Sequence, residues 1–132
     1  EKLIPRAVLR VLRGDPVPLM KSSENTRDWL YVLDHCQALY LLLMQGGYGE
    51  SYNIGGGAHL TNREVANSIL SWNGKGSIET IPDRLAHDTR YAVNSDKIRS
   101  LGWSPSRSVH VDLLDTFDWY KANKKQYERV WI

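Results

Sequence analysis

Arg84, His87 and Arg90 recur at intervals of three in I-P-D-R-L-A-H-D-T-R-Y-A-V, Ile81 to Val93, with Asp83 and Asp88 beside them and β-formers at both ends. Three groups able to donate to an anion, on a loop running into a short strand, are a common way to build a phosphate or carboxylate site. The alternative is a solvated, charge-balanced loop, since loops are ordinarily polar. Two other positions bear on the choice. Arg27 stands at the mouth of a predicted strand. Asn62 opens a predicted helix, where free N–H groups and the helix dipole welcome an anion. If Arg27 and Arg84 converge, two guanidinium groups can clasp a pyrophosphate, each charge-assisted hydrogen bond contributing roughly 1.5 to 3 kcal/mol.

Other chemistries find little support. His35, His59, His87 and His110 are scattered, with no H-x-x-x-H or C-x-x-C and no carboxylates gathered around them, so no metal site is expected. Cys36, in an apolar helical stretch, reads as a core residue rather than a thiolate, and G-x-S-x-G does not occur. Asp34 and His35 are helix neighbours and point in different directions, which rules out a catalytic pair. Gly55-Gly56-Gly57 follows a predicted strand, but G-x-G-x-x-G is absent. Trp29, Trp72, Trp103, Trp119 and Trp131 are too dispersed for a nucleic-acid stacking platform and read as core or surface anchors.

The elements that position these residues can be read in order. Lys2 to Arg13 carries a helical apolar stripe, Leu3, Ala7, Val8, Val11 and Leu12, stopped by Gly14. Val17 to Met20 reads as an edge strand, because Pro16 and Pro18 remove ladder donors. Lys21 to Thr26 is a polar loop leading to a strand over Arg27 to Val32. Asp34 is expected to cap a helix running to about Gln45, apolar nearly all round and so expecting cover on more than one side. Ser51 to Ile54 reads as a strand. Thr61-Asn62-Arg63-Glu64 is a capping box for a helix to about Trp72, with Val65, Ala66, Ile69 and Leu70 inward. Ile78 to Ile81 alternates as a strand. Ser95 is expected to cap a short helix, Asp96 to Leu101, ended by Gly102, with Trp103 plugging the core. Ser108 is expected to cap a last helix to about Ala122 that buries Leu113, Leu114, Phe117 and Tyr120.

The 132-residue chain suits one domain and an ordinary core. An apolar fraction of 42% with 24% charged residues is that of a globular protein, not a disordered one. A net charge of +2 without a Lys/Arg run argues against nucleic acid and against a charged membrane surface. The single cysteine, Cys36, leaves no mark of an oxidising compartment, so a cytoplasmic setting is expected, and the longest apolar run, Ala38 to Met44, is far short of a spanning helix. The sequence opens on a helix already under way without an initiator Met, which leads us to expect a piece of a longer chain.

Five motifs together carry a family resemblance: R-D-W-L-Y-V-x-D-H (Arg27 to His35), G-E-x-Y-N-I-G-G (Gly49 to Gly56), D-R-x-x-H-D-x-R-Y-A (Asp83 to Ala92), L-G-W-x-P (Leu101 to Pro105) and W-Y-x-A-N (Trp119 to Asn123). In this order, and with E-K-L-I-P at Glu1 to Pro5, they closely resemble the C-terminal half of dTDP-glucose 4,6-dehydratases, which are extended short-chain dehydrogenase/reductase enzymes. The resemblance implies an α/β fold of mixed helices and short strands, residues 1–132 forming the nucleotide-sugar-binding domain without the Rossmann half. It implies that Arg27 and Arg84 bind the pyrophosphate with Asn62 and His87 beside them, that Lys2 and Leu3 touch the nucleotide, and that Pro18 and Met20 wall the base.

By the same resemblance the catalytic residues and the NAD site belong to the missing N-terminal domain, and the full-length enzyme is a homodimer. It would convert dTDP-glucose to dTDP-4-keto-6-deoxyglucose by oxidising C4, eliminating water across C5 and C6, and returning the hydride to C6. Where the family commonly has Y-G-x-G, this chain has Met20-Lys21-Ser22-Ser23, and Arg84-Leu85-Ala86-His87 replaces R-P-G-H. Met20 offers a polarisable surface in place of an aromatic ring, which leaves a UDP-sugar dehydratase or epimerase as an alternative. A non-catalytic nucleotide-binding module is the other.

Overall fold

The computed structural model describes residues 2–83 and 90–127. Helix α1 (Leu3–Arg13) is followed by strands β1 (Val17–Met20) and β2 (Thr26–Trp29), helix α2 (Val32–Gln45), strand β3 (Ala58–Thr61), helix α3 (Asn62–Asn73), strand β4 (Ile78–Ile81), helices α4 (Asp96–Arg99) and α5 (Val109–Ala122), and a closing 3-10 turn, Lys124–Tyr127. The strands form two small sheets, β1 with β4 in parallel and β2 with β3 antiparallel. Two-stranded sheets are marginal by themselves, so the helices must hold them.

They do so through one main core. Ala7, Val8 and Val11 of α1 meet Val65, Ala66 and Ile69 of α3, Val17 and Leu19 of β1, and Leu113 and Phe117 of α5. The expected stripe on α1 thus faces inward at its centre, and Gly14 closes the helix in the left-handed conformation at φ 86°. A second cluster joins Ala38 of α2, Ile98 of α4 and Trp103, with Tyr52 and Ile54 against it. Trp103 is the expected plug, and its indole N–H donates to the Asp34 carbonyl at 3.1 Å.

Several elements depart from the sequence reading. The strand expected over Arg27 to Val32 ends at Trp29, and α2 starts at Val32 rather than Asp34. Tyr31 holds the N-cap position without a side-chain cap, because the Asp34 carboxylate is engaged elsewhere. It accepts from the Ser106 backbone N–H at 3.2 Å and from the Ser106 hydroxyl at 2.7 Å. Ser51 to Ile54 is not a strand: it has no ladder partner among the described residues, and Tyr52 and Ile54 pack on the second cluster instead. The antiparallel partner of β2 is β3, which the sequence reading missed.

Ser95 does not cap α4 either. Its hydroxyl accepts from the Gly55 N–H at 2.8 Å, and the Asn94 side chain accepts from the Asp96 N–H at 2.7 Å in its place. The helix itself is two residues shorter than expected, ending at Arg99, with Gly102 left-handed just beyond. The Thr61–Glu64 capping box is present in full, and Ser108 caps α5. Leu114 on α5 is half-exposed rather than buried. Cys36, expected in the core, is exposed, because α2 buries only Asp34 and Ala38. Val32, Leu33, Leu39, Tyr40, Leu43 and Met44 leave that helix with a broad uncovered apolar surface, in line with the expectation that it needs cover on more than one side.

Candidate functional site

The start of α3 is where the described candidates gather. Thr61 turns the chain from β3 into the helix: its hydroxyl accepts from the Glu64 N–H at 3.0 Å, while the Glu64 carboxylate accepts from the Thr61 N–H at 2.7 Å. Those two bonds hold the Glu64 carboxyl below its usual range, the backbone bond being the larger cause. Asn62 is the first helical residue, placed at the positive end of the dipole.

The β1–β2 connection is laced to this helix start. The Asn62 N–H donates to the Asn25 carbonyl at 3.3 Å and the Arg63 N–H to the Ser23 carbonyl at 3.0 Å. Ser23 in turn donates from its backbone to the Met20 carbonyl at 3.0 Å, so the end of β1 is drawn to the same place. An ion pair between Arg63 and Glu24 adds an exposed tie, a type that usually contributes little. Pro18 is buried mid-strand, opposite Glu79 of β4.

Lys2 and Leu3 come to this end by helix packing. Ile4 and Pro5 of α1 share a hollow with Val65 of α3, and at the far ends the Asn73 amide reaches the Val11 carbonyl at 3.5 Å. The two helices therefore run side by side in the same direction, with their N-termini together. Lys2 is exposed there, while Leu3 leans on the main core.

Arg27 sits one residue into β2, its Cα opposite that of Leu60. The guanidinium donates to the Thr26 carbonyl at 2.9 Å and stacks over the Tyr91 ring at 4.7 Å. Tyr91 was not singled out from sequence, although R-Y-A contained it. It is positioned by a parallel bridge between Thr26 and Arg90, with the Tyr91 N–H donating to the Thr26 carbonyl at 3.2 Å.

Arg84 and His87 lie outside the described residues. Both ends of the segment that carries them are nonetheless fixed. At one end Asp83 accepts from the backbone N–H and the hydroxyl of Ser22, at 2.8 and 2.7 Å. At the other, Arg90 is bridged to Thr26. Asp83 thus ties the start of this segment to the β1–β2 turn. The chain between Asp83 and Arg90 thus leaves and returns beside Arg27 and the start of α3.

Beneath β2, both Asp28 carboxylate oxygens are buried without a hydrogen-bond partner among the described residues. They rest against Gly55 and Gly56, where a side chain would collide with them. Gly55-Gly56-Gly57 precedes β3 and leads into no helix directly, so it does not form the strand-to-helix turn of a dinucleotide site. No group of three or more His, Cys, Asp or Glu able to hold a metal occurs among the described residues. An apolar hollow of about 660 Å³ lies between the starts of α1 and α2 and the length of α5 and includes none of the candidate residues.

Comparison with known proteins gives this arrangement its relatives. The family model for GDP-mannose 4,6 dehydratase matches residues 1–114. The dTDP-glucose 4,6-dehydratase of Streptomyces niveus is 44% identical over 131 residues, covering 97% of this chain and 39% of the relative. The dTDP-glucose 4,6-dehydratase 1 of Escherichia coli K12 is 37% identical over 140 residues, covering 98% and 39%. Among solved structures, the dTDP-glucose 4,6-dehydratase DesIV of Streptomyces venezuelae, with NAD bound, superposes with a TM-score of 0.90 at 40% identity, over 96% of this chain and 40% of that one. The enzyme WbmF of Bordetella bronchiseptica, in complex with NAD+ and UDP, gives 0.84 at 27% identity, over 98% and 39%. The chain spans about 39% of the length of the curated relatives it matches. With its motifs, its mixed α/β fold and the match over most of its length, the chain belongs to the GDP-mannose 4,6 dehydratase family of extended short-chain dehydrogenase/reductase proteins.

Proposed function

We propose that this chain is the nucleotide-sugar-binding domain of an NAD-dependent dTDP-glucose 4,6-dehydratase. One observation carries the reading: the segment bearing Arg84 and His87 is anchored at both ends, through Asp83 and Arg90, beside Arg27 and the N-terminus of α3. Guanidinium groups and a helix start are suited to the negative charge of a diphosphate. In this reading Arg27 and Arg84 bind the pyrophosphate, Asn62 and His87 lie next to it, Lys2 and Leu3 contact the nucleotide, and Pro18 and Met20 wall the base.

The domain would supply position and binding energy rather than acid, base or hydride chemistry. NAD, present in the DesIV structure, does not fit the glycines here, which lack the strand-to-helix turn. We assign it and the catalytic residues to an N-terminal Rossmann domain, and the water-eliminating redox cycle to the two domains together. The uncovered apolar surface of α2 and the hollow of about 660 Å³ suit contact with such a domain. We also read the whole enzyme as a cytoplasmic homodimer. No helix among the described residues is long and apolar enough to cross a membrane.

The test is dTDP binding by the full-length protein. Arg27→Ala and Arg84→Ala should each weaken it about tenfold or more, the equivalent of one charge-assisted hydrogen bond; unchanged affinity in both would remove the reading. A UDP-sugar dehydratase or epimerase is the second reading, supported by Met20 at the base wall and by the UDP complex of WbmF. Protection from heat or protease by dTDP against UDP and GDP separates them.

A further inference from the structure

We propose that the chain carries a second anion site, distinct from the diphosphate site and built for a phosphate-type oxyanion. Its residues are His59, Arg90 and Arg99, which line one open cleft of about 380 Å³ together with Gly57, Asn94 and Ser95.

Two arginines drawn into one cleft repel each other unless something negative lies between them. The ion pairs among the described residues engage Arg63, Lys97 and Arg107, but neither Arg90 nor Arg99. Both are tied to the fold. The Arg90 backbone is bridged to Thr26. The Arg99 guanidinium lies over the ring of the buried Trp103, 5.9 Å from its centroid. A Cβ on Gly57 would come within 3.1 Å of Arg99 Nη2, so the absence of a side chain there lets the guanidinium approach the backbone. Guanidinium groups match the geometry of an oxyanion.

Asp96 also lines the cleft, and neither it nor Asp28 forms an ion pair with Arg90 or Arg99 among the described residues. Asp96, on the rim, accepts from the Asn94 amide at 2.9 Å. Asp28, opposite His59 in the β2–β3 register, keeps both oxygens buried beneath the Gly55–Gly56 turn. Ser95, whose oxygen accepts from Gly55, still has its own O–H to donate. Arg90 also anchors the segment that bears Arg84 and His87 through its backbone, whereas Arg99 and His59 have no part in the diphosphate reading, so Arg99→Gln tells the two sites apart.

The experiment is calorimetric titration of the full-length protein with inorganic phosphate and, separately, phenyl phosphate, under saturating dTDP. We expect saturable one-site binding, weakened at least tenfold by Arg99→Gln and by Arg90→Gln, with dTDP affinity unchanged in Arg99→Gln. Equal affinity for both probes identifies a free oxyanion as sufficient; tighter binding of phenyl phosphate identifies a phosphomonoester site. Arg99→Lys, which keeps the charge, and His59→Gln, which leaves the Trp103 contact alone, provide variants should Arg99→Gln fail to fold by circular dichroism. Absence of saturable binding by either probe, or wild-type affinity in Arg99→Gln and Arg90→Gln, overturns the proposal. Loss of dTDP binding in Arg27→Ala bears only on the first site.

Discussion

Replacing Gly56 by Ala should disturb the site at a distance through the backbone. The added Cβ would stand 2.1 Å from the Trp29 carbonyl oxygen and 3.0 Å from its carbon. Those are backbone atoms of β2, so no side-chain rotation relieves the clash; relief requires about 1 Å of movement between the glycine turn and the strand that carries Arg27. Overpacking of this kind destabilises by roughly 1 to 3 kcal/mol, and the absence of a flexible neighbour places Gly56→Ala toward the upper end. For a unit of this size each kcal/mol lowers the melting temperature by roughly 4 °C. Gly14→Ala is the matched control. It has no heavy atom within 4 Å and carries only the left-handed backbone penalty, about 1 kcal/mol. Thermal unfolding followed by circular dichroism, with dTDP affinity measured on the same samples, separates strand displacement from simple destabilisation. The reasoning fails if Gly56→Ala melts with the wild type, or no lower than Gly14→Ala.

Asp34→Ala leaves the Ser106 N–H and hydroxyl without their acceptor at the joint between α2 and the start of α5, and should cost about 2 to 4 kcal/mol by urea unfolding, more than Ser106→Ala. Thr61→Ala removes half the capping box of α3 and should cost about 1 kcal/mol, read by the same denaturation. The Glu64 carboxyl is held low by its bonds to Thr61, so its contribution is present above the ordinary glutamate value and lost as pH falls through the lower folded value; Glu64→Gln should flatten that part of the stability–pH curve. Asp112 is opposite in sign. Burial pushes its carboxyl up, Arg107 pulls it down and Asp34 pushes it up, and the group favours folding less as pH rises from the ordinary aspartate value through the folded one. Arg107→Gln should therefore destabilise more at neutral pH than in acid, and a pH-independent loss would contradict that assignment.

What could be read from the sequence was mostly what local chemistry decides. The capping box at Thr61 and the left-handed stop at Gly14 need no distant partner, and both stand where the residues put them. Elements whose fate depends on a remote partner were harder to place. Asp34 looked like a cap because its type and position suit one, but Ser106 lies 72 residues away and no local signal announces it. Ser51 to Ile54 has strand propensity without a ladder to join, whereas Ala58–Thr61, next to three glycines, becomes a strand because β2 lies beside it. Cys36 shows the limit of composition: an apolar helix does not mean a covered one. For the site, residue types pointed to Arg27 and Asn62, while the Ser22–Asp83 anchor and the Tyr91 ring required the tertiary structure.

The uncovered side of α2 also sets how that helix should behave over time. Fourteen residues long and burying only Asp34 and Ala38, it takes little of its protection from the main core. Helices held mainly by contacts on one side open locally at lower free energy than the global unit. Amide hydrogens along Leu39 to Gln45 should therefore exchange early in the isolated chain, well before those of α3. In a longer protein that seats a domain on this surface, the same amides should become slow, making α2 a residue-resolved reporter of domain docking.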